Sequence, residues 1–229
     1  MAPTYGVIFD MDGVLVDSYD AHLKCWQRLA EEIDQPLTQR EFELYFGRTA
    51  REMIRELWGQ DSLTDEEITK LEARKESFYH EMLEEEFPEM PGAKTLIENL
   101  QKEGFKIAVG SSGPPENVNI IIEQMSLAPF LNGAINGNMV EKGKPDPAIF
   151  LKAAEAMQID PSHCLVIEDA PPGIEAAHAA GMTCIGIAST GRTVEELQAA
   201  EEVITQLSQT SPDRIATIIS SRLSSKNAS

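Results

Sequence analysis

Two hydrophobic patterns share this chain, and they occupy different stretches. Residues 5–9 form an apolar run that is too short for a helix and rich in β-formers, so a buried strand is predicted there, ending at Asp10. Strand-like runs then vanish between residues 18 and 87. Ala21, Cys25, Leu29 and Ile33 fall on one helical face, with Ser18 placed to cap the helix. Pro36 and Thr38 mark a break, followed by a short helix, the sequence Gly47-Arg48-Thr49 and a further helix over 50–57. A turn over 61–65 leads into a long acidic helix over 64–86, where Ile68, Leu71, Phe78, Met82 and Leu83 recur at roughly helical spacing.

Pro88 and Pro91-Gly92 mark a return to the first pattern. Strands are predicted over 105–110, 134–136, 164–167 and 183–187, with a short edge strand at 203–204. They alternate with helices over 93–103, 115–125, 146–157, 172–180 and 212–223, and 224–229 reads as a frayed tail. This rhythm implies an α/β fold: a doubly wound parallel sheet with right-handed crossovers. Residues 1–17 and 88–229 form its core, and 18–87 form an α-helical cap inserted after the first strand.

Composition narrows the partners. The 229 residues, 42% hydrophobic, provide ample core for one domain with an insertion. A net charge of -19 repels nucleic acid and anionic membrane, because phosphate backbones are bound through Lys and Arg. A small phosphorylated metabolite remains possible as a partner if cations are placed locally. The three cysteines make no CxxC and read as buried, reduced thiols of a cytoplasmic protein. Neither a membrane span nor a signal peptide is expected. A monomer or weak homodimer is expected.

The chemistry gathers where strands end, since ligands in open α/β sheets bind beyond the carboxyl ends of the strands. Asp10 and Asp12 follow the first strand, with Gly13 to turn the backbone. Two carboxylates so placed repel and need a cation or a shared proton, and Mg²⁺ completed by a phosphate and waters answers that need. A carboxylate is also a nucleophile toward phosphorus. Ser111 and Ser112 follow the second strand, where hydroxyls and backbone N–H groups suit a phosphate oxygen, although an ordinary Ser/Gly turn reads the same way. Lys144 stands in the proline-stiffened sequence Gly143-Lys144-Pro145-Asp146-Pro147, where a solvated lysine is the bland alternative. Glu168 and Asp169 follow the fourth strand as adjacent carboxylates suited to a metal, or as a helix cap.

The string Asp10-Met11-Asp12-Gly13-Val14-Leu15-Val16-Asp17-Ser18 resembles the first motif of the haloacid dehalogenase superfamily, in its capped phosphatase and β-phosphoglucomutase-like branch. The later order of Ser111, Lys144-Pro145 and Glu168-Asp169 resembles the remaining motifs across the core. The resemblance implies a Rossmann-like core, with Asp10 as nucleophile and metal ligand. It makes Asp12 the general acid/base, which also gives its backbone carbonyl to the metal. Ser111 and Lys144 would bind the transferring phosphoryl group, and Glu168 and Asp169 would complete a Mg²⁺ site.

The acceptor then decides the reaction: water makes a phosphatase, a sugar hydroxyl a phosphomutase. His22 and Trp26, four apart on the first cap helix, resemble both kinds alike. Gly47-Arg48-Thr49 resembles a substrate-specificity loop, but Ala50 stands where β-phosphoglucomutases carry a phosphate-gripping arginine, with Arg48 and Arg51 on either side. Lys75 resembles a cap lysine of the mutases, whereas its charged helix favours a solvated side chain; the loop 113–117 departs from the mutase pattern, and Asn117 in it is a further candidate for substrate contact. The expectation is a phosphatase acting on a small phosphomonoester, a sugar phosphate. The alternatives are a β-phosphoglucomutase-type mutase, a non-catalytic phosphate-sensing module and a dehalogenase. The last needs no metal and leaves Asp12, Glu168 and Asp169 without a role.

Overall fold

A computed structural model describes residues 4–46, 48–59 and 63–226. The chain divides into two compact units, Met1–Asp17 with Glu89–Ser229, and Ser18–Pro88.

The larger unit is built on a six-stranded parallel sheet. Its strands are β1 (Gly6–Phe9), β2 (Lys106–Gly110), β3 (Gly133–Ile135), β4 (Cys164–Glu168), β5 (Thr183–Ile187) and β6 (Glu202–Ile204), in the order β3-β2-β1-β4-β5-β6. β1 is therefore central, with Phe9 beside Val109 of β2 and Ile167 of β4. β1, β4 and β5 are buried on both faces, which is why they read as continuous apolar runs. Helices α5 (Ala93–Lys102), α6 (Pro115–Gln124), α7 (Ala148–Met157), α8 (Pro171–Ala179) and α9 (Pro212–Lys226) make the crossovers and the terminal cover. α7 lays Ile149, Phe150, Ala153 and Met157 on the sheet, each fully buried or nearly so. Burying each large side chain contributes roughly 1.5–3 kcal/mol. α9 runs to Lys226, past the expected end at 223, so the expected tail begins as helix.

The insertion begins and ends at one place in this unit. Val16 bridges antiparallel to Glu89, and the Met90 N–H donates to the Leu15 carbonyl at 2.9 Å.

The smaller unit is helical. α1 (Tyr19–Glu32) buries His22, Cys25, Trp26 and Leu29, an i, i+3, i+4, i+7 stripe, and packs on α4 (Asp65–Glu85) through Ile68, Phe78, Tyr79 and Leu83. Between them lie α2 (Gln39–Tyr45) and α3 (Ala50–Ile54), the latter widening into a π-helical stretch at Arg55–Gly59. Thr38, Thr49 and Thr64 each close a capping box with the Glu three residues on. Ser18, the expected cap of α1, makes no side-chain cap bond; it is fully buried, with its backbone already helical. Part of the expected turn over 61–65 lies outside the described residues.

Candidate active site

Adjacent strand ends assemble the site. Asp10 follows β1, its N–H still paired to the Ile167 carbonyl of β4 at 3.0 Å. Ser111 follows β2, and its N–H reaches the Ile135 carbonyl of β3 at 3.0 Å. Glu168 closes β4 and Asp169 follows it. The central position of β1 thus puts Asp10 between the loops that carry the other groups. The turn after β1 is tight: the Gly13 N–H donates to the Val16 carbonyl at 2.8 Å and the Leu15 N–H to that of Met11 at 2.8 Å.

Lys144 arrives from the loop before α7 and joins two of the carboxylates. Its Nζ donates to Asp10 Oδ1 at 2.5 Å and to Glu168 Oε1 at 2.6 Å, with the lysine side chain 7% exposed. The second oxygen of Glu168 accepts the Ala170 N–H at 2.7 Å. Both Glu168 oxygens are therefore engaged within the protein. Asp10, Glu168 and Asp169 each offer an oxygen within 4.8 Å of the others. At that separation two carboxylates repel by roughly 3 kcal/mol at an effective dielectric of about 20. An all-carboxylate donor set of this kind fits a hard divalent cation such as Mg²⁺.

Burial raises the Asp10 carboxyl from 3.8 to about 7, with Glu168 and Asp12 adding repulsion and Lys144 opposing it. Asp169 is held well above the usual carboxylate range by burial and by the charges of Glu168 and Asp10, against Arg192 and Lys144. Burial alone would lower Lys144, but its two carboxylate partners hold the ammonium raised. The cluster therefore retains its lysine charge and takes up a proton readily while no cation is bound.

Two residues without a motif complete it. Gly173, in the first turn of α8, lies under Glu168: a Cβ there would stand 1.8 Å from Oε1. Arg192 follows β5, with Nε 4.0 Å from Asp169 Oδ2. Gly13 has a close-approach role as well as its turn, since its φ is 74° and a Cβ would stand 2.3 Å from Asp169 Oδ2. The only signal for Arg192 in the sequence is its place after a strand, and Gly173 gives none.

Of the other candidate residues, Ser111 is buried and its Oγ accepts the Gly113 N–H at 3.0 Å. Ser112 follows it in the loop, and Asn117 is buried on α6. Asp12 is half-buried and bridges Val16 through its backbone.

The smaller unit gathers a second group. Lys75, expected from its neighbours to be solvated, is 4% exposed. Its Nζ lies 3.0 Å from His22 Nδ1 and 3.0 Å from Glu76 Oε1. His22 stacks on Tyr79 at 4.2 Å, and Trp26 lies 5.8 Å from Trp58. Arg48 sits over the Tyr45 ring at 5.3 Å. Arg51 donates to Asp65, Thr69 and Glu72, which ties α3 to α4. Gly47 lies outside the described residues. All three cysteines are buried and unpaired by disulfides. Among the described residues no helix is long and apolar enough to cross a membrane.

Known proteins resemble this chain in sequence and fold. The family model of the haloacid dehalogenase-like hydrolases matches residues 7–187. The β-phosphoglucomutase of Bacillus subtilis is 33% identical over 187 residues, covering 79% of this chain and 82% of that protein. A phosphorylated carbohydrates phosphatase of Thermotoga maritima is 30% identical over 180 residues, covering 77% and 81%. Among solved structures, a family IA, variant 3 hydrolase from Entamoeba histolytica superposes with a TM-score of 0.87 at 31% identity, covering 95% of this chain and all of that one.

Proposed function

The chain belongs to the haloacid dehalogenase-like hydrolases, and on that premise we propose that it is a Mg²⁺-dependent phosphatase acting on a small sugar phosphate through an aspartyl-phosphate. It is an enzyme of that family, a hydrolase or a mutase. The observation that carries the finer reading is the position of Asp10: at the end of the central strand, with Lys144 Nζ 2.5 Å from its carboxylate and the Glu168-Asp169 pair beside it.

In this reading Asp10 attacks phosphorus in line and takes the phosphoryl group. Lys144 spreads the charge that develops on the transferring oxygens, while Ser111, Ser112 and the N–H groups of their loop hold them. Asp12 protonates the leaving oxygen and then deprotonates the incoming water. Asp10, the Asp12 carbonyl, Glu168 and Asp169 would hold Mg²⁺, which would neutralise the phosphoryl charge when bound. His22, Trp26, Gly47, Arg48, Lys75 and Asn117 grip the rest of the substrate. Arg51 joins them only if it releases Asp65 and Glu72.

The test is phosphate release from a panel of sugar phosphates with Mg²⁺ or EDTA, for the wild type and Asp10→Asn. Mg²⁺-dependent release is expected, falling at least about a thousandfold in the variant. Comparable turnover by a folded Asp10→Asn protein overturns the nucleophile.

One observation favours a mutase instead. Lys75 Nζ is buried beside His22, where a lysine is suited to a second phosphate. With β-glucose 1-phosphate as substrate, glucose 6-phosphate as product selects the mutase and free phosphate the phosphatase.

A further inference from the structure

Lys144 makes hydrogen bonds to Asp10 and Glu168, the first two of the three clustered carboxylates. Among the described residues, Arg192 is the cation paired with the third. Its Nε stands 4.0 Å from Asp169 Oδ2, and the two side chains are 10% and 8% exposed. That distance is beyond hydrogen-bond reach, so this contact compensates the Asp169 charge without occupying a lone pair.

The loop holds the arginine in place. The Arg192 N–H donates to the Ser189 carbonyl at 3.0 Å. Thr193, the next residue, donates its N–H to Glu196 at 2.7 Å and accepts the Glu196 N–H at 3.4 Å. Two residues earlier, Thr190 Oγ1 donates to Asp17 Oδ2 at 2.9 Å. A guanidinium stays protonated in proteins, so the charge beside Asp169 is permanent. With all three carboxylates ionised, as they are when they face a cation, the two cations leave one excess negative charge among these five groups; without Arg192 the excess is two.

We propose that Arg192 is a positioning residue that sets the divalent-cation affinity of the site, steadying Asp169 when no ion is bound and opposing the ion's charge when one arrives. The inference rests on the reading of Asp10, Glu168 and Asp169 as metal-binding. The consequence is a site that takes its metal weakly enough to exchange it.

The test is calorimetric titration of Mg²⁺ into the full chain without substrate, for wild type, Arg192→Gln and Arg192→Lys. Removing a unit charge this close strengthens Mg²⁺ binding about tenfold in Arg192→Gln. Arg192→Lys, which restores charge but not the planar fork, returns the affinity toward wild type. Metal-free Arg192→Gln melts earlier than wild type, and saturating Mg²⁺ erases most of the difference. Equal or weaker Mg²⁺ binding by a folded Arg192→Gln protein overturns the inference and leaves the metal reading standing. No Mg²⁺ binding by the wild type overturns both. Should metal-free Arg192→Gln not fold, it is prepared with Mg²⁺ and the release to EDTA is timed; slower release than wild type is expected, and equal or faster release overturns the proposal.

Discussion

Gly173 and Glu168 occupy one space: the carboxylate that closes β4 lies where any side chain at 173 would begin, 1.8 Å from a Cβ. Glu168 cannot retreat, because it is 1% exposed and holds Lys144 with one oxygen and the Ala170 N–H with the other. Gly173→Ala should therefore displace Glu168 and loosen Lys144, although alanine is the better helix former. The expected result is a loss of about 2–4 kcal/mol in denaturant unfolding, as for other overpacked or broken buried networks, with activity falling alongside. A stabilised Gly173→Ala protein would mean that Glu168 has another place to go.

Asp10 should leave a signature in the pH dependence of stability. Its carboxyl titrates near 3.8 in the unfolded chain and is raised to about 7 in the metal-free fold. Between those values the folded state holds a proton that the unfolded state has released, so this contribution is full below pH 4 and is lost as pH rises through 7. Asp10→Asn lacks it. The melting temperature of the variant relative to wild type should climb from pH 4 to pH 7 in EDTA, and saturating Mg²⁺ should flatten the climb by compensating the ionised carboxylate. A gap that stays constant with pH in EDTA contradicts the raised value.

Arg51 separates support within the helical unit from a grip on substrate. It pairs with Asp65 and Glu72 at 3.1 and 2.9 Å, with its own side chain 34% exposed. Half-exposed pairs of this kind contribute about 1 kcal/mol or less. Arg51→Ala should lower the melting temperature by a few degrees with KM unchanged, measured beside Lys75→Met, whose KM should rise. A selective rise in KM for Arg51→Ala returns that arginine to the substrate.

What could be read in the sequence follows from which forces are local. β1 and β4 were legible because strands buried on both faces are apolar without interruption. Lys144 and Asp10, 134 residues apart, came together only through the order of the motifs, since no local pattern links them. Ser18 stands at the N-cap position of α1 as its place before a helical stripe predicts, but without the side-chain bond; Thr38, Thr49 and Thr64 make that bond, each with its Glu three residues later. The π-helical stretch after Ile54 left no trace, as nothing breaks the helical pattern there. Lys75 looked solvated because its neighbours are charged; its burial depends on His22 and Tyr79, the former 53 residues away. Gly173 is a void that a carboxylate fills, and an absent side chain announces nothing.

The clasp between Val16 and Glu89, with Met90 bonded to Leu15, makes everything between those positions an exchangeable cassette. The sheet registers only that the polypeptide departs and comes back at one doorway. Closing that excursion grows harder only slowly as it lengthens. A different insert can thus be grafted between two neighbouring points while the strand ends that carry Asp10 and Glu168 keep their pairing.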